Sequence, residues 1–158
     1  MKYYKLEIQE MYKMNFEDGL KLENQLCFSI YATSRAITKI YRPFLDKLGI
    51  TYPQYLVMLV LWEKENITLK ELSNRLYLDS GTLTPLLKRL EAMELLKRQR
   101  SSEDERILCV NITEKGKELK EQALTIPECI LKSINMNIEQ LIKFKKDTDI
   151  LLDSIKNL

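Results

Sequence analysis

The sequence has no histidine, three scattered cysteines and four isolated glycines. Without histidine there is no Ser-His or Cys-His pair for nucleophilic catalysis, and no metal site that uses an imidazole. Cys27, Cys109 and Cys129 are too far apart in the sequence to indicate a zinc site, and isolated glycines do not make a Gly-rich phosphate-binding loop. These absences argue against an enzyme, and the sequence predicts neither a metal nor a cofactor.

Long apolar runs and a secretory signal are also missing. No apolar run approaches the roughly 18 residues of a membrane span. The N-terminal residues show neither a continuous apolar core nor a small-residue cleavage site. An odd number of widely spaced cysteines does not form a secreted disulfide framework. We therefore expect a cytoplasmic protein with reduced thiols and no membrane partner.

What the sequence does contain suits one soluble domain, since 45% of its 158 residues are hydrophobic and 30% are charged. Residues 1–18 show no clear period and are predicted to be an N-terminal extension to a single domain at 19–158. A helical pattern starts at Asn24, the expected N-cap, and we expect Pro43 to kink or break that helix. Capping residues predict further helix starts at Thr51, Thr68, Asp79 or Ser80, Thr113, Thr125 and Asn137.

Residues 51–112 combine a helix-turn-helix with a hairpin. Leu83, Leu86, Leu87 and Leu90 have the spacing of one buried helical stripe, with Pro85 expected near the first turn of that helix. Thr82, Pro85 and Arg89 then lie on the opposite face. Residues 96–99 and 107–112 read as two strands joined by a charged turn. The sequence predicts a mainly α fold with a small β-hairpin wing, a winged helix-turn-helix.

This architecture and the charge distribution point to DNA. Between positions 88 and 100, five basic residues stand against two glutamates. A recognition helix presents its N-terminal end and polar face to the major groove, and an arginine at a wing tip suits the minor groove. The predicted DNA-binding residues are Ser80, Gly81, Thr82, Thr84, Lys88, Arg89 and Arg106. The alternatives are an ordinary solvated face and a winged helix that binds proteins.

The same residues resemble a known family. Residues 77–90 look like the recognition helix of MarR-family regulators, and Asp104-Glu105-Arg106 matches that family's D-x-R wing motif. Asn24-Gln25-Leu26-Cys27 is similar to the N-terminal motif of the organic-hydroperoxide-sensing (OhrR-like) branch. The resemblance covers about positions 23–130. It implies that Asp104 supports the wing arginine, and that helices in 19–48 and 114–158 form the dimerisation region of a homodimer on a pseudo-palindromic operator.

Cys27 is the predicted sensor. With Asn24 as N-cap it falls at the third helical position, where the positive end of the helix dipole favours the thiolate that attacks peroxides. Tyr31 lies one turn further on the same face. Tyr41 is about 21 Å from Cys27 along a straight helix, so a contact between them needs a fold-back or another chain. The resemblance implies that Tyr41 and Tyr52 hydrogen-bond the thiol across the dimer. The alternative for Cys27 is a buried apolar filler.

The other two cysteines have separate expectations. Some members of the branch carry a C-terminal cysteine that resolves the sulfenate as an intersubunit disulfide, and Cys129 lies in about that region; its alternative is helix packing. Cys109 is predicted to pack in an apolar strand. The sequence thus predicts a dimeric repressor that releases its operator when an organic hydroperoxide or related oxidant oxidises Cys27. The rivals are a regulator that responds to a small aromatic ligand or acts broadly on virulence and resistance, and a thiol peroxidase.

Overall fold

The computed structural model describes residues 16–156. A short helix α1 (Phe16–Gly19) and a 3-10 turn (Leu22–Asn24) precede α2 (Leu26–Leu48) and α3 (Tyr52–Glu63). The winged helix continues with β1 (Asn66–Thr68), α4 (Leu69–Leu76), α5 (Ser80–Ala92), β2 (Leu96–Arg100) and β3 (Leu108–Ile112). The chain ends in α6 (Glu114–Ala123), α7 (Ile126–Ser133) and α8 (Ile138–Ile155). Most of the predicted extension at 1–18 lies outside the described residues.

The structure corrects two predictions for α2, its N-cap and a break at Pro43. Gln25, not Asn24, is the N-cap, because Asn24 lies in the preceding turn and its Nδ2 donates to the Asp18 carbonyl over 2.8 Å. Pro43 lies inside α2, which continues to Leu48. Pro43 is exposed, so water can bond the carbonyl that loses its helical partner. Gly49 ends α2 as expected, with φ +68°.

Most of the capping predictions are confirmed. The Thr51 N–H donates to Gln54 Oε1 over 2.8 Å, and Asn137 begins α8 with a complete capping box. Thr68, Asp79 and Thr113 also cap their helices with side-chain hydrogen bonds. Thr125 precedes α7 but makes no such bond, because its backbone is already helical.

The predicted hairpin is part of a three-stranded antiparallel sheet with the order β1-β3-β2. β2 and β3 form the wing, with Arg98 opposite Val110. β1 pairs with the other edge of β3, so that Ile67 also lies opposite Val110. The sequence analysis missed β1 because three residues are too few to show a strand period.

The recognition helix α5 is held by its predicted stripe. Leu83, Leu87 and Leu90 are fully buried and Leu86 is half-buried. The opposite face, with Thr82, Pro85 and Arg89, is exposed, as predicted. Pro85 is the sixth residue of α5 rather than a first-turn residue. Its position is tolerated because Gly81, whose carbonyl loses its helical partner, is exposed.

The apolar faces of α2 and α8 have little cover within the chain. No residue of α8 is buried, and only Leu45 of α2 is. The exposed large apolar side chains of these two helices are Leu26, Phe28, Ile30, Tyr31, Ile138, Ile142, Phe144, Ile150, Leu152 and Ile155. Contiguous apolar surface of this kind marks an interaction site. None of the described helices is long and apolar enough to cross a membrane.

Gly116 fixes α6 against the base of the wing. A methyl group there would lie 2.1 Å from the Leu95 carbonyl oxygen and 2.7 Å from Ile112 Cγ1. Trp62 Nε1 donates to the Gly116 carbonyl over 2.8 Å, which joins α3 to the same point. A poor helix former stands in α6 because only glycine allows this close approach.

We predict that Gly116→Ala lowers the free energy of unfolding by about 2 kcal/mol or more, because overpacking outweighs the higher helix propensity of alanine. Chemical denaturation measures the change. Gly19→Ala is the matched control, since nothing lies within 4 Å of the added methyl group. Equal stability of the two variants would contradict the close approach of α6.

Candidate DNA-reading surface and thiol site

The first turn of α5 is presented by a short, well-bonded turn. α4 ends at Tyr77, whose φ of +53° turns the chain sharply, and Ser73 Oγ donates to the Leu78 carbonyl. Asp79 then caps α5, accepting hydrogen bonds from the Thr82 N–H (2.8 Å) and the Thr82 hydroxyl (2.9 Å). These bonds hold the pKa of the Asp79 carboxyl below its usual value. The start of the recognition helix is therefore rigid and exposed.

The structure places all the predicted DNA-binding residues of α5 on its N-terminal turn or its outer face. Ser80, Gly81 and Thr82 are exposed in the first turn. Thr84 is half-buried, and its hydroxyl donates to the Ser80 carbonyl over 2.6 Å. It is thus less available to a ligand than Ser80. Lys88 and Arg89 are exposed two turns further along α5.

The cations of the winged helix fall into two groups. Four of them are engaged within the fold: Lys64 with Glu71, Arg75 with Glu63, Arg98 with Glu91, and Arg100 with the Glu105 carbonyl. Lys70, Lys88, Arg89, Lys97 and Arg106 have no side-chain hydrogen bond or ion pair with residues 16–156. Arg98 and Arg100 therefore add less to the basic surface than their count in the sequence suggests.

Arg98 joins the wing to the recognition helix. Its Nε and Nη2 lie 2.9 and 2.5 Å from Glu91 Oε2, and its backbone N–H donates to Glu91 Oε1 over 2.8 Å. These hydrogen bonds from Arg98 lower the pKa of the Glu91 carboxyl. Both side chains are partly shielded from water. The Glu91–Arg98 pair therefore fixes β2 against α5. This pair was not predicted from the sequence.

The wing tip is closed by Asp104. Its Oδ1 accepts a hydrogen bond of 2.9 Å from the Arg106 N–H, and its carbonyl accepts one of 2.9 Å from the Ile107 N–H. Asp104 thus reaches Arg106 through the backbone and not through the guanidinium. The Arg106 side chain is exposed at the tip.

Cys27 is the second residue of α2, one position earlier than predicted, and it is exposed. The alternative of a buried filler does not fit the single chain. One turn further, the Tyr31 hydroxyl accepts a hydrogen bond of 2.7 Å from Arg35 Nη1, and the guanidinium carbon lies 5.5 Å from the tyrosine ring centre. Arg35 was not predicted as a site residue, although its i, i+4 spacing from Tyr31 was visible.

Tyr41 and Tyr52 belong to an aromatic cluster with Tyr55 and Trp62. The ring centres of Tyr41 and Tyr52 are 4.9 Å apart, and those of Tyr41 and Tyr55 are 5.9 Å apart. Burial, helped by the neighbouring tyrosines, raises the pKa of Tyr41 to about 12. Burial also raises the pKa of Tyr52. Both hydroxyls therefore stay protonated at neutral pH and can donate to an anion.

The structure does not bring Cys27 to these tyrosines within one chain. The helix α2 is continuous, so Cys27 and Tyr41 are about 21 Å apart along it. An apolar cleft of about 360 Å³ extends from Leu26, beside Cys27, to Tyr52, and Phe144 and Leu151 of α8 form its other wall. This cleft joins the two halves of the predicted thiol site along the exposed face of α2.

The remaining cysteines are free thiols. Cys129 is the fourth residue of α7 and is half-buried. Cys109 was predicted to pack in an apolar strand. It instead lies half-exposed between Thr68 and Gln99, because alternate residues of β3 point away from the buried Val110. Among residues 16–156 there is no group of three or more side chains that could hold a metal ion.

Comparison with known proteins places these features in a family. A family model described as transcriptional regulator SarA/Rot matches residues 39–123, which is more than half of the chain. The organic hydroperoxide resistance transcriptional regulator of Bacillus subtilis (strain 168) is 53% identical over 138 residues, covering 87% of this chain and 94% of that protein. MarR of E. coli in complex with operator DNA is 22% identical with a TM-score of 0.74 (80% of this chain, 93% of that one), which shows the shared fold.

AbfR of Staphylococcus epidermidis is a second informative relative. Its reduced, DNA-bound structure is 36% identical with a TM-score of 0.76, covering 90% of this chain and 98% of that one. An overoxidised form bound to DNA has a TM-score of 0.68 (37% identity, 87% and 99% coverage), and a disulfide form has 0.59 (39% identity, 84% and 95%). The predicted MarR-like winged helix-turn-helix is confirmed. The chain belongs to the SarA/Rot family of transcriptional regulators, which are DNA-binding proteins and not enzymes.

Proposed function

We propose that this protein is a cytoplasmic, dimeric repressor that senses organic hydroperoxides through Cys27 and then releases its operator. The observation that carries the proposal is the position of Cys27, exposed in the first turn of a helix whose apolar face has little cover within residues 16–156. The name of the Bacillus subtilis relative supports the class of oxidant.

DNA binding follows from the two exposed elements of the winged helix. α5 enters the major groove with Ser80, Gly81 and Thr82 at its leading end, and Arg89 reaches a base edge from its outer face. The wing carries Arg106 to the adjacent minor groove. The unpaired Lys88 lies beside Arg89 and adds attraction to phosphate. The DNA-bound structures of AbfR support this arrangement.

A second copy of the chain covers α2 and α8. Helices in 19–48 and 114–158 form the dimerisation region, and burying their exposed apolar side chains stabilises the pair by the hydrophobic effect. Two recognition helices related by a two-fold axis then match the two half-sites of a pseudo-palindromic operator.

The dimer also completes the thiol site. Tyr41 is about 21 Å from Cys27 along α2, and Tyr52 lies at the other end of the cleft that begins at Leu26, so both tyrosines meet Cys27 of the partner. Their protonated hydroxyls donate to the thiolate, which the positive end of α2 also favours. The thiolate attacks one oxygen of the hydroperoxide and breaks the O–O bond. Cys27 becomes a sulfenic acid, and the alkoxide leaves and takes a proton to form an alcohol.

Cys129 resolves the sulfenic acid. Its thiolate attacks the Cys27 sulfur of the partner subunit, and the oxygen leaves as water, which gives an intersubunit disulfide. A disulfide form of AbfR has been solved, which supports such a step in this protein.

A second candidate function keeps the fold and changes the signal. The apolar cleft between α2 and α8 has room for a small aromatic ligand, and Tyr52 offers it a hydroxyl. Such a regulator would release DNA on ligand binding while Cys27 stays reduced.

We predict that Arg89→Ala lowers operator affinity by about 10- to 100-fold and weakens discrimination between operator and unrelated DNA, because a base contact is lost. Fluorescence anisotropy with both duplexes measures this. Lys143→Ala, which removes an exposed cation of α8 without a partner in residues 16–156, is the control and retains wild-type binding. Unchanged discrimination in Arg89→Ala would exclude a reading role for that residue.

We predict that Cys27→Ser binds operator like the wild type but is not released by cumene hydroperoxide, because a hydroxyl does not attack the peroxide at neutral pH. A gel-shift titration with the oxidant measures release. Cys109→Ser is the matched control and stays responsive, since its thiol lies on the sheet and not on the dimer face. If the oxidant releases Cys27→Ser from the operator, Cys27 is not the sensor.

A further inference from the structure

A cleft of about 320 Å³ separates the wing from the first turn of α4. It is lined by Thr68, Leu69 and Lys70 on one side and by Arg106, Ile107 and Leu108 on the other. Two of these residues are cations, and none of them carries a carboxylate. The cleft is distinct from the recognition helix and from the thiol site.

The two cations of this cleft are not neutralised within the fold. Neither Lys70 Nζ nor the Arg106 guanidinium has a hydrogen bond or ion pair with residues 16–156. Glu71 binds Lys64 Nζ at 2.9 Å, and Asp104 accepts the backbone N–H of Arg106. The Glu105 carboxylate, next to Arg106 in sequence, does not line the cleft. The two positive charges favour an anion at this cleft, and with Arg106 in the minor groove Lys70 is the side chain that remains to contact it.

We propose that this cleft binds one phosphate of the DNA backbone, with Lys70 as an anchor that the recognition motif does not include. The inference rests on the proposed operator binding and adds a contact to it. In a helix-turn-helix the first helix crosses the backbone while the second lies in the major groove, and here α4 is the first helix. The backbone strand that separates the major groove from the minor groove must pass between α5 and the wing. Lys70 is exposed on the α4 side of the cleft beside the wing, next to that path.

The contact positions the protein and carries no sequence information. Phosphate contacts fix register and orientation, whereas base contacts specify sequence. Because α4 and the wing both contact the same stretch of backbone, Lys70 holds the wing in register with α5. Each neutralised phosphate releases counterions and steepens the salt dependence by about 0.9 in log–log slope, so one contact per protomer contributes about 2 per dimer.

The test compares Lys70→Gln with wild type on operator and on unrelated duplex, at several salt concentrations. We expect Lys70→Gln to weaken binding to both duplexes by the same factor, about tenfold, since one exposed charge contact is lost from each protomer. We also expect its salt slope to be shallower by about 2. Lys70→Arg keeps the charge and restores wild-type binding, and Lys143→Gln is the control on α8. Thermal melting verifies that Lys70→Gln is folded.

Two results would overturn the inference. One is a Lys70→Gln protein with wild-type affinity and salt slope while Arg89→Ala loses operator discrimination. The other is a loss confined to operator, which would make Lys70 a base-reading residue. Failure of the wild type to bind any duplex would instead refute the proposed function, and this site with it.

Discussion

Residues 16–156 leave the apolar faces of α2 and α8 largely exposed, and the proposed function depends on that constraint. α2 is a continuous helix that carries Cys27 in its first turn and Leu45 of the winged-helix core in its last turns. The N-terminal end of α2 is therefore exposed to an oxidant, and its C-terminal end is packed into the core of the winged helix. A change in how a second copy packs on the exposed end changes the position of the core-bound end. The proposed sensor Cys27 and the winged helix are therefore connected through α2.

The winged helix is expected to move as one rigid unit, because specific contacts connect its helices and strands. Glu91 and Arg98 link α5 to β2, Asp104 closes the wing tip, and Trp62 links α3 to Gly116 at the start of α6. In the proposed dimer, movement at the interface would change the spacing of the two winged helices without rearrangement inside either. Because each winged helix keeps its internal geometry, a spacing that no longer fits the two half-sites would release both winged helices together.

Sequence reasoning predicted the helix order, most caps and the wing, because capping residues and the leucine stripe of α5 act locally. It failed where contacts between residues distant in the sequence determine the position or partner of a side chain. Asn24 is a good N-cap by type, but its amide is used by Asp18 in the preceding turn. Arg98 counted as a surface charge until its pairing with Glu91 was visible, and Cys109 seemed buried because a run of apolar residues does not reveal which face of a strand is covered. β1 exists only because β3 offers it an edge. The structure puts Ser80, Gly81 and Thr82 in the first turn of α5 and Cys27 in the first turn of α2. The separation of Cys27 from Tyr41 and Tyr52 could be interpreted only with a second copy of the chain in view.

In the proposed function, Cys27 is oxidised before the protein leaves its operator, and the disulfide with Cys129 completes the release. Mass spectrometry of the protein fractions that remain bound and that are released, after treatment of the operator complex with an equimolar amount of cumene hydroperoxide, tests it directly. We expect reduced Cys27 in the bound fraction and a Cys27–Cys129 intersubunit disulfide in the released fraction, with Cys109 reduced in both. Released protein whose Cys27 is still a free thiol would contradict it.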